Sequence, residues 1–205
     1  MLGIDLVKFS HQRLVFNRRA DMLAARLAPL FPPNASVLDI GCGDGTIDQQ
    51  ILNRRPDVSI AGVDLFVRPS SRISVIVFDG NNIPYRDASF DVAMFVDVLH
   101  HTKDPEVLLR QAKRVAKKSI VIKDHFRNGF LADTTLRVMD WVGNAAHGVA
   151  LPYNYWSRED WTAAFQSLSL EPDEIVTQLS LYPMPASLIF DRGLHFIARL
   201  PVGSL

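Results

Sequence analysis

The stretch Val37-Leu38-Asp39-Ile40-Gly41-Cys42-Gly43-Asp44-Gly45 constrains this chain more than any other. A short apolar run ends at Asp39-Ile40, and a helical pattern opens near Asp44 to Ile47. Alternate glycines fill the turn between them. Glycine accepts positive φ and lets a ligand approach the backbone closely. A strand-to-helix turn at the C-terminal edge of a parallel sheet is where doubly wound folds bind ligands. The helix start adds free N–H groups and a positive dipole end.

The spacing is G-x-G-x-G. A dinucleotide fingerprint starting at Gly41 needs glycine or alanine where Thr46 stands. Asp39 and Asp44 would also repel a pyrophosphate and would suit a cationic ligand. The turn therefore favours a cofactor that carries positive charge and no phosphate. A nicotinamide-dependent oxidoreductase is the less favoured rival.

The surrounding pattern supplies a sheet. Apolar β-type runs occur at 36–40, 58–64, 73–79, 90–97 and 119–123, and helical periods lie between them at 46–55 and 105–118. Buried strands alternating with helices predict a parallel sheet covered on both faces. Residues 6–30 predict one or two helices that stop at Pro32-Pro33. A further helix is expected within 129–145, a loop at 147–156, and a helix capped by Ser157 with Asp160. Two terminal strands are expected at 174–182 and 194–200, joined by a link too long for a tight hairpin.

Acids recur at the strand tips. Asp64 ends the second run, where an acid can take both hydroxyls of a ribose. Asp79 ends the third, where a carboxylate can accept from the exocyclic amine of a base. Asp97 ends the fourth.

With these residues the sequence resembles the class I S-adenosylmethionine-dependent methyltransferases, in particular the small, single-domain ones called type 11. The resemblance covers residues 35–125 well and the remainder in outline. It implies a Rossmann-like three-layer α/β/α sandwich. Its seven-stranded, mostly parallel sheet would have the order 3-2-1-4-5-7-6, with the last strand antiparallel. It also implies S-adenosyl-L-methionine as cofactor and S-adenosyl-L-homocysteine as product. Carried over by resemblance, Asp39, Gly41, Cys42 and Gly43 cradle the methionine part. Asp64 grips the ribose, Leu65 packs on the adenine, and Asp79 with the Gly80 backbone meets the adenine amine. Val96 and Asp97 begin the segment that lines the transfer site. The expected layout is a helical segment at 1–34, a cofactor-binding core at 35–125, a helical and aromatic cap at 126–173 and terminal strands at 174–205.

A sulfonium methyl is already activated, so the protein mainly has to align the acceptor and exclude water. A base is needed only where the acceptor loses a proton. The candidates are Asp97, His101 and His125, with His100 and Asp124 nearby; His100 and His101 also read as residues capping a strand-to-helix turn. Asp97-Val98-Leu99-His100-His101 resembles the E-x-x-E-H run that binds a divalent metal in a few methyltransferases, but His100 replaces its second acid, and no metal is expected. Cys42 reads as a small residue in a tight loop. Phe126, Phe130, Trp141, Tyr153, Tyr155 and Trp156 would suit a small, partly apolar acceptor, although Trp141 and Trp161 also read as ordinary packing.

Composition narrows the partners. Lys plus Arg is 22 and Asp plus Glu is 22, so there is no global field to draw in nucleic acid. Arg110, Lys113, Arg114, Lys117 and Lys118 are expected on one helix as a solvated face. The single cysteine excludes an intrachain disulfide and fits a reducing compartment, so a cytoplasmic protein is expected. No apolar run approaches the roughly 18 residues of a membrane span. A non-catalytic methyltransferase-like binding subunit remains the alternative. Neither the acceptor nor the oligomeric state is legible.

Overall fold

A computed structural model describes residues 17–144 and 152–203 of the chain. A helix over residues 17–27 (α1) continues as a 3-10 turn at Ala28–Leu30 and stops before Pro32-Pro33. The strands are β1 (Ser36–Ile40), β2 (Ser59–Asp64), β3 (Val75–Val77), β4 (Phe90–Val96), β5 (Ala116–His125), β6 (Glu174–Val176) and β7 (His195–Pro201). The other helices are α2 (Thr46–Arg54), α3 (Pro105–Val115), α4 (Ala132–Asn144), α5 (Arg158–Ser167) and α6 (Ser187–Phe190).

All seven strands form one sheet in the order β3-β2-β1-β4-β5-β7-β6. Its neighbours are parallel except where β7 inserts against both β5 and β6. This is the expected order and the expected reversed strand.

Period-two alternation divides the sheet between two cores. Leu38, Ile40, Ala93, Phe95, Ile120, Ile122 and Phe196 face α3 and α5. Val37, Val92, Met94, Val121 and Ile197 face the opposite layer, where Leu23 and Leu27 of α1 and Ile51 of α2 pack. Central strands apolar on both faces cannot be solvated, so helices must cover each side. α3 starts where Asp104 accepts from the Glu106 N–H at 3.1 Å and Pro105 needs no partner for a missing N–H. α5 starts on the expected capping box of Ser157 and Asp160.

Several expectations need correction. α3 ends at Val115, and Ala116 pairs with Phe90 in the sheet, so Lys117 and Lys118 lie in β5. No five-residue basic face exists. Arg114 instead binds Asp87 and the carbonyls of Ile83 and Tyr85, while Lys118 pairs with Asp91. β6 is only three residues long. After Val176 the chain leaves the sheet, and Leu179 and Leu181 are buried on the α1 side. The link before β7 carries α6. Trp141 is 61% exposed and is not core, whereas Trp161 is buried. Part of the loop expected at 147–156 lies outside the described residues. Among those residues, no helix is long and apolar enough to cross a membrane.

Candidate active site

The glycine turn joins β1 to α2 at the C-terminal edge of the sheet. Gly41 has φ of 80°, and a Cβ there would sit 2.6 Å from a Val98 methyl, so both conformation and space require glycine. The Gly43 N–H donates to Asp64 Oδ2 at 2.8 Å, tying the turn to the end of β2. Cys42 packs on β2, where a Cβ at Gly62 would meet its Sγ at 2.4 Å. Burial, followed by the charge of Asp39, pushes the Cys42 thiol up, so it stays protonated and inert.

Beneath the turn lie two acids. Asp39 and Asp48 are both buried, and Asp39 Oδ1 and both Asp48 oxygens receive no hydrogen bond. Burial, then the neighbouring Asp48, raises Asp39 well above the carboxylate range. Burial pushes Asp48 up to about 7. A proton held between the two is the physical way to keep such a pair out of water.

The other strand tips on this side are open. Leu65 and Phe66 are exposed beside Asp64. Asp79 is exposed and accepts from the N–H groups of Asn81 and Asn82, which lower its pKa to about 2. Gly80, with φ of 81°, follows it, and Leu65 lies 3.1 Å from where a Gly80 Cβ would be.

A second cluster lies beyond β4 and β5. Asp97 sits just after Val96, at φ of 58°, a conformation unusual for a non-glycine residue. Its carboxylate binds the Arg19 guanidinium and the fully buried Lys123 ammonium. Burial opposes the charge of Asp97, but Lys123 and Arg19 outweigh it and hold the acid well below its usual range. Lys123 also lies 3.3 Å from His195 Nδ1.

Asp124 takes the next position. It accepts from the Leu99 N–H at 3.1 Å and the His125 N–H at 2.8 Å, and His100 Nδ1 is 2.7 Å away. Burial works against a charge on His100, yet Asp124 and Asp140 raise its pKa to about 9. Burial, then Lys123, lowers His125 to about 4, leaving it neutral. Burial and the charge of His100 also lower His101. Tyr155 stacks on His100 and donates to Asp140 Oδ2 at 2.8 Å.

Comparison with known proteins matches the chain to a family. A methyltransferase-domain model matches residues 10–175. The chain belongs to the class I S-adenosylmethionine-dependent methyltransferase family. It is 34% identical over 110 residues to 27-O-demethylrifamycin SV methyltransferase of Amycolatopsis mediterranei, a stretch covering 46% of this chain and 40% of that one. It is 29% identical over 96 residues to the tRNA (carboxymethyluridine(34)-5-O)-methyltransferase of Saccharomyces cerevisiae, covering 42% of this chain and 32% of that one. The chain thus spans well under two thirds of the length of these relatives. Among solved structures, a SAM-dependent methyltransferase of Thermotoga maritima superposes with a TM-score of 0.65 at 21% identity, covering 99% of this chain and 100% of that one.

In this methyltransferase-family chain, Asp39, Gly41, Cys42, Gly43 and Asp64 meet around one turn. Leu65, Asp79 and Gly80 line the neighbouring edge. Asp97, His101 and His125 belong to the second cluster, with His125 Nδ1 3.7 Å from Asp97 Oδ1 and His101 turned toward Asp140. Sequence reading missed Arg19, Asp48, Lys123, Asp140 and His195. Two of these left a signal: Lys123 interrupts an apolar central strand, and Asp48 shares the buried face of α2 with Ile51. The aromatic cap divides as well. Phe126 and Tyr155 are core, stacked on Phe196 and His100, whereas Phe130 and Trp141 are exposed.

Proposed function

We propose that this chain transfers a methyl group from S-adenosyl-L-methionine to a small-molecule acceptor. One observation carries the cofactor assignment: Asp39 Oδ1 and both Asp48 oxygens are buried under the glycine turn with neither a hydrogen-bond donor nor a paired cation among the described residues. Such a pair fits a ligand bearing a positively charged amine and disfavours a pyrophosphate. The bound cofactor would supply an activated methyl on a sulfonium.

The chain's own residues do the rest. Asp39, Gly41, Cys42 and Gly43 would receive the amino-acid end. Asp64, already fixed by the Gly43 N–H, would accept from the ribose hydroxyls. Leu65 would cover the base, Asp79 and Gly80 would meet its amine, and Val96 would floor the site. Asp97, His101 and His125 would face the acceptor. Together they would hold the acceptor in line with the activated methyl that the cofactor would supply. An acceptor that carries a proton would lose it to neutral His125.

Exposed Phe130 and Trp141 and half-buried Tyr153 and Trp156 support a compact, partly apolar acceptor. So does the balance of 22 basic and 22 acidic residues, which gives no general attraction to polyanions. An RNA acceptor is the second reading, favoured by the likeness to a tRNA methyltransferase.

Calorimetric titration with S-adenosyl-L-methionine and S-adenosyl-L-homocysteine tests the assignment. Micromolar binding by the wild type, weakened in Asp64→Ala, is expected. No binding to the intact protein would put a non-catalytic role first. Turnover of tRNA with none of any small acceptor would move the substrate class to RNA.

A further inference from the structure

His100 and His101 end the turn after β4, and Asp140 approaches them from α4. Asp140 Oδ1 lies 3.7 Å from His100 Nε2 and 3.5 Å from His101 Nε2. Both separations are too long for a good hydrogen bond. They match the edge of a tetrahedron, about 3.4 Å when its centre is about 2.1 Å from each nitrogen or oxygen. One donor atom from each of the three residues lies within 4.8 Å of the other two. We propose that His100, His101 and Asp140 supply three ligands to one divalent transition-metal ion in a tetrahedral site, with no fourth side-chain ligand among the described residues.

The surrounding groups orient these donors as a metal site requires. Asp124 Oδ1 lies 2.7 Å from His100 Nδ1, which keeps a proton on that nitrogen and points Nε2 at Asp140, where a metal ion would displace the second proton. The Asp124 carboxylate is itself held by the Leu99 and His125 N–H groups. Tyr155 donates to Asp140 Oδ2 at 2.8 Å, turning Oδ1 toward the histidines. Thus His100 and Asp140 each have an outer partner that sets their direction. Two imidazoles and one carboxylate suit zinc and its neighbours in the first transition row. Asp140 directly, and Asp124 through His100, supply two negative charges toward a divalent ion.

The geometry also selects among alternatives. Asp97, the acid nearest in sequence, is bound by Arg19 and Lys123 and does not provide the third ligand. His100, Asp124 and His125 also come within 4.8 Å. That trio has His100 Nδ1 and Asp124 Oδ1 already hydrogen-bonded at 2.7 Å, closer than two ligands of a tetrahedral ion. His101 keeps 17% of its side chain exposed, giving the site a side open to an incoming group. The open position would take water or an oxygen of the acceptor. His101 then acts as a ligand, and His125 is left as the base.

The proposal rests on side-chain geometry and not on methyl transfer, and its test needs neither cofactor nor acceptor. Purified protein is stripped with a chelator, given one equivalent of zinc or cobalt(II), and separated from free ion. Bound zinc is counted by elemental analysis, and cobalt is read by the visible absorption of a four-coordinate site. About one ion per chain is expected. Asp140→Asn and His101→Gln, each checked for folding by circular dichroism, should lower affinity by more than tenfold. Tyr155→Phe should weaken it about tenfold through loss of an outer partner. The proposal fails if the wild type retains less than about a tenth of an ion per chain. It also fails if folded Asp140→Asn and His101→Gln bind as tightly as the wild type. Either result leaves the cofactor titration untouched.

Discussion

Acids at the two ends of the site are buried in opposite ways. Under the glycine turn, Asp39 and Asp48 face each other with no cation among the described residues, and burial drives both toward the protonated form. Beyond β4 and β5, Asp97 and Asp124 remain charged because Arg19, Lys123 and His100 surround them. One end is electrostatically incomplete and the other is largely balanced from within. A buried charge without its partner costs several kcal/mol, so the first arrangement makes sense where a cationic ligand completes it. The second is held in place by groups of the protein alone.

The largest break in this contrast should come from Lys123. Lys123→Ala leaves Asp97 facing Arg19 alone and opens a hole in β5, and should cost about 3 kcal/mol or more in chemical denaturation. Adding Asp97→Asn should recover part of that loss, since the uncompensated charge goes too. Equal or greater loss in the double variant would show that Asp97 does not depend on Lys123.

The glycine-turn pair should respond to pH. The folded protein holds a proton that the unfolded chain releases near pH 4, so stability should fall as pH rises from about 4 to 7 and then level off. Asp48→Asn should flatten that part of a melting-temperature profile. The same proton must leave when a cation binds, so S-adenosyl-L-methionine should bind more tightly at pH 8 than at pH 6. A pH-independent affinity would separate the pair from the ligand.

Smaller effects sharpen the picture. Asp64→Ala removes charge-assisted hydrogen bonds and should weaken cofactor binding about 10- to 100-fold by calorimetry. Gly62→Ala drives a methyl into the Cys42 thiol and should cost about 1 to 3 kcal/mol. Cys42→Ala in the same chain should relieve only part of it, because the Cys42 Cβ and Ile73 Cδ1 also crowd that methyl, measured as a coupling energy in a double-mutant cycle.

The sheet was legible because its central strands are continuous apolar runs broken by turn residues. The glycine spacing and the acids at strand tips point to one edge of the sheet from the sequence alone. Boundaries failed where tertiary pairing overrode helix period, as at Ala116-Lys117-Lys118. The second cluster was half visible. Asp97, His100 and His101 sit in a recognisable segment and His125 ends an apolar strand, but Arg19 and Asp140 arrive from helices far away in sequence. Residues without a local pattern are brought together only by packing, and the exposed face of Trp141 was hidden for the same reason.

The inserted β7 bears on how the molecule is made. β1 to β5 can assemble as successive crossovers leave the ribosome, each new strand docking beside one already in place. β5 then offers a bare edge of Ile120, Val121 and Ile122 until residues 195–201 are synthesised. β6 appears earlier but can join only through β7. Between those two moments the nascent chain carries an unpaired apolar strand edge, the kind of surface that invites association with other chains.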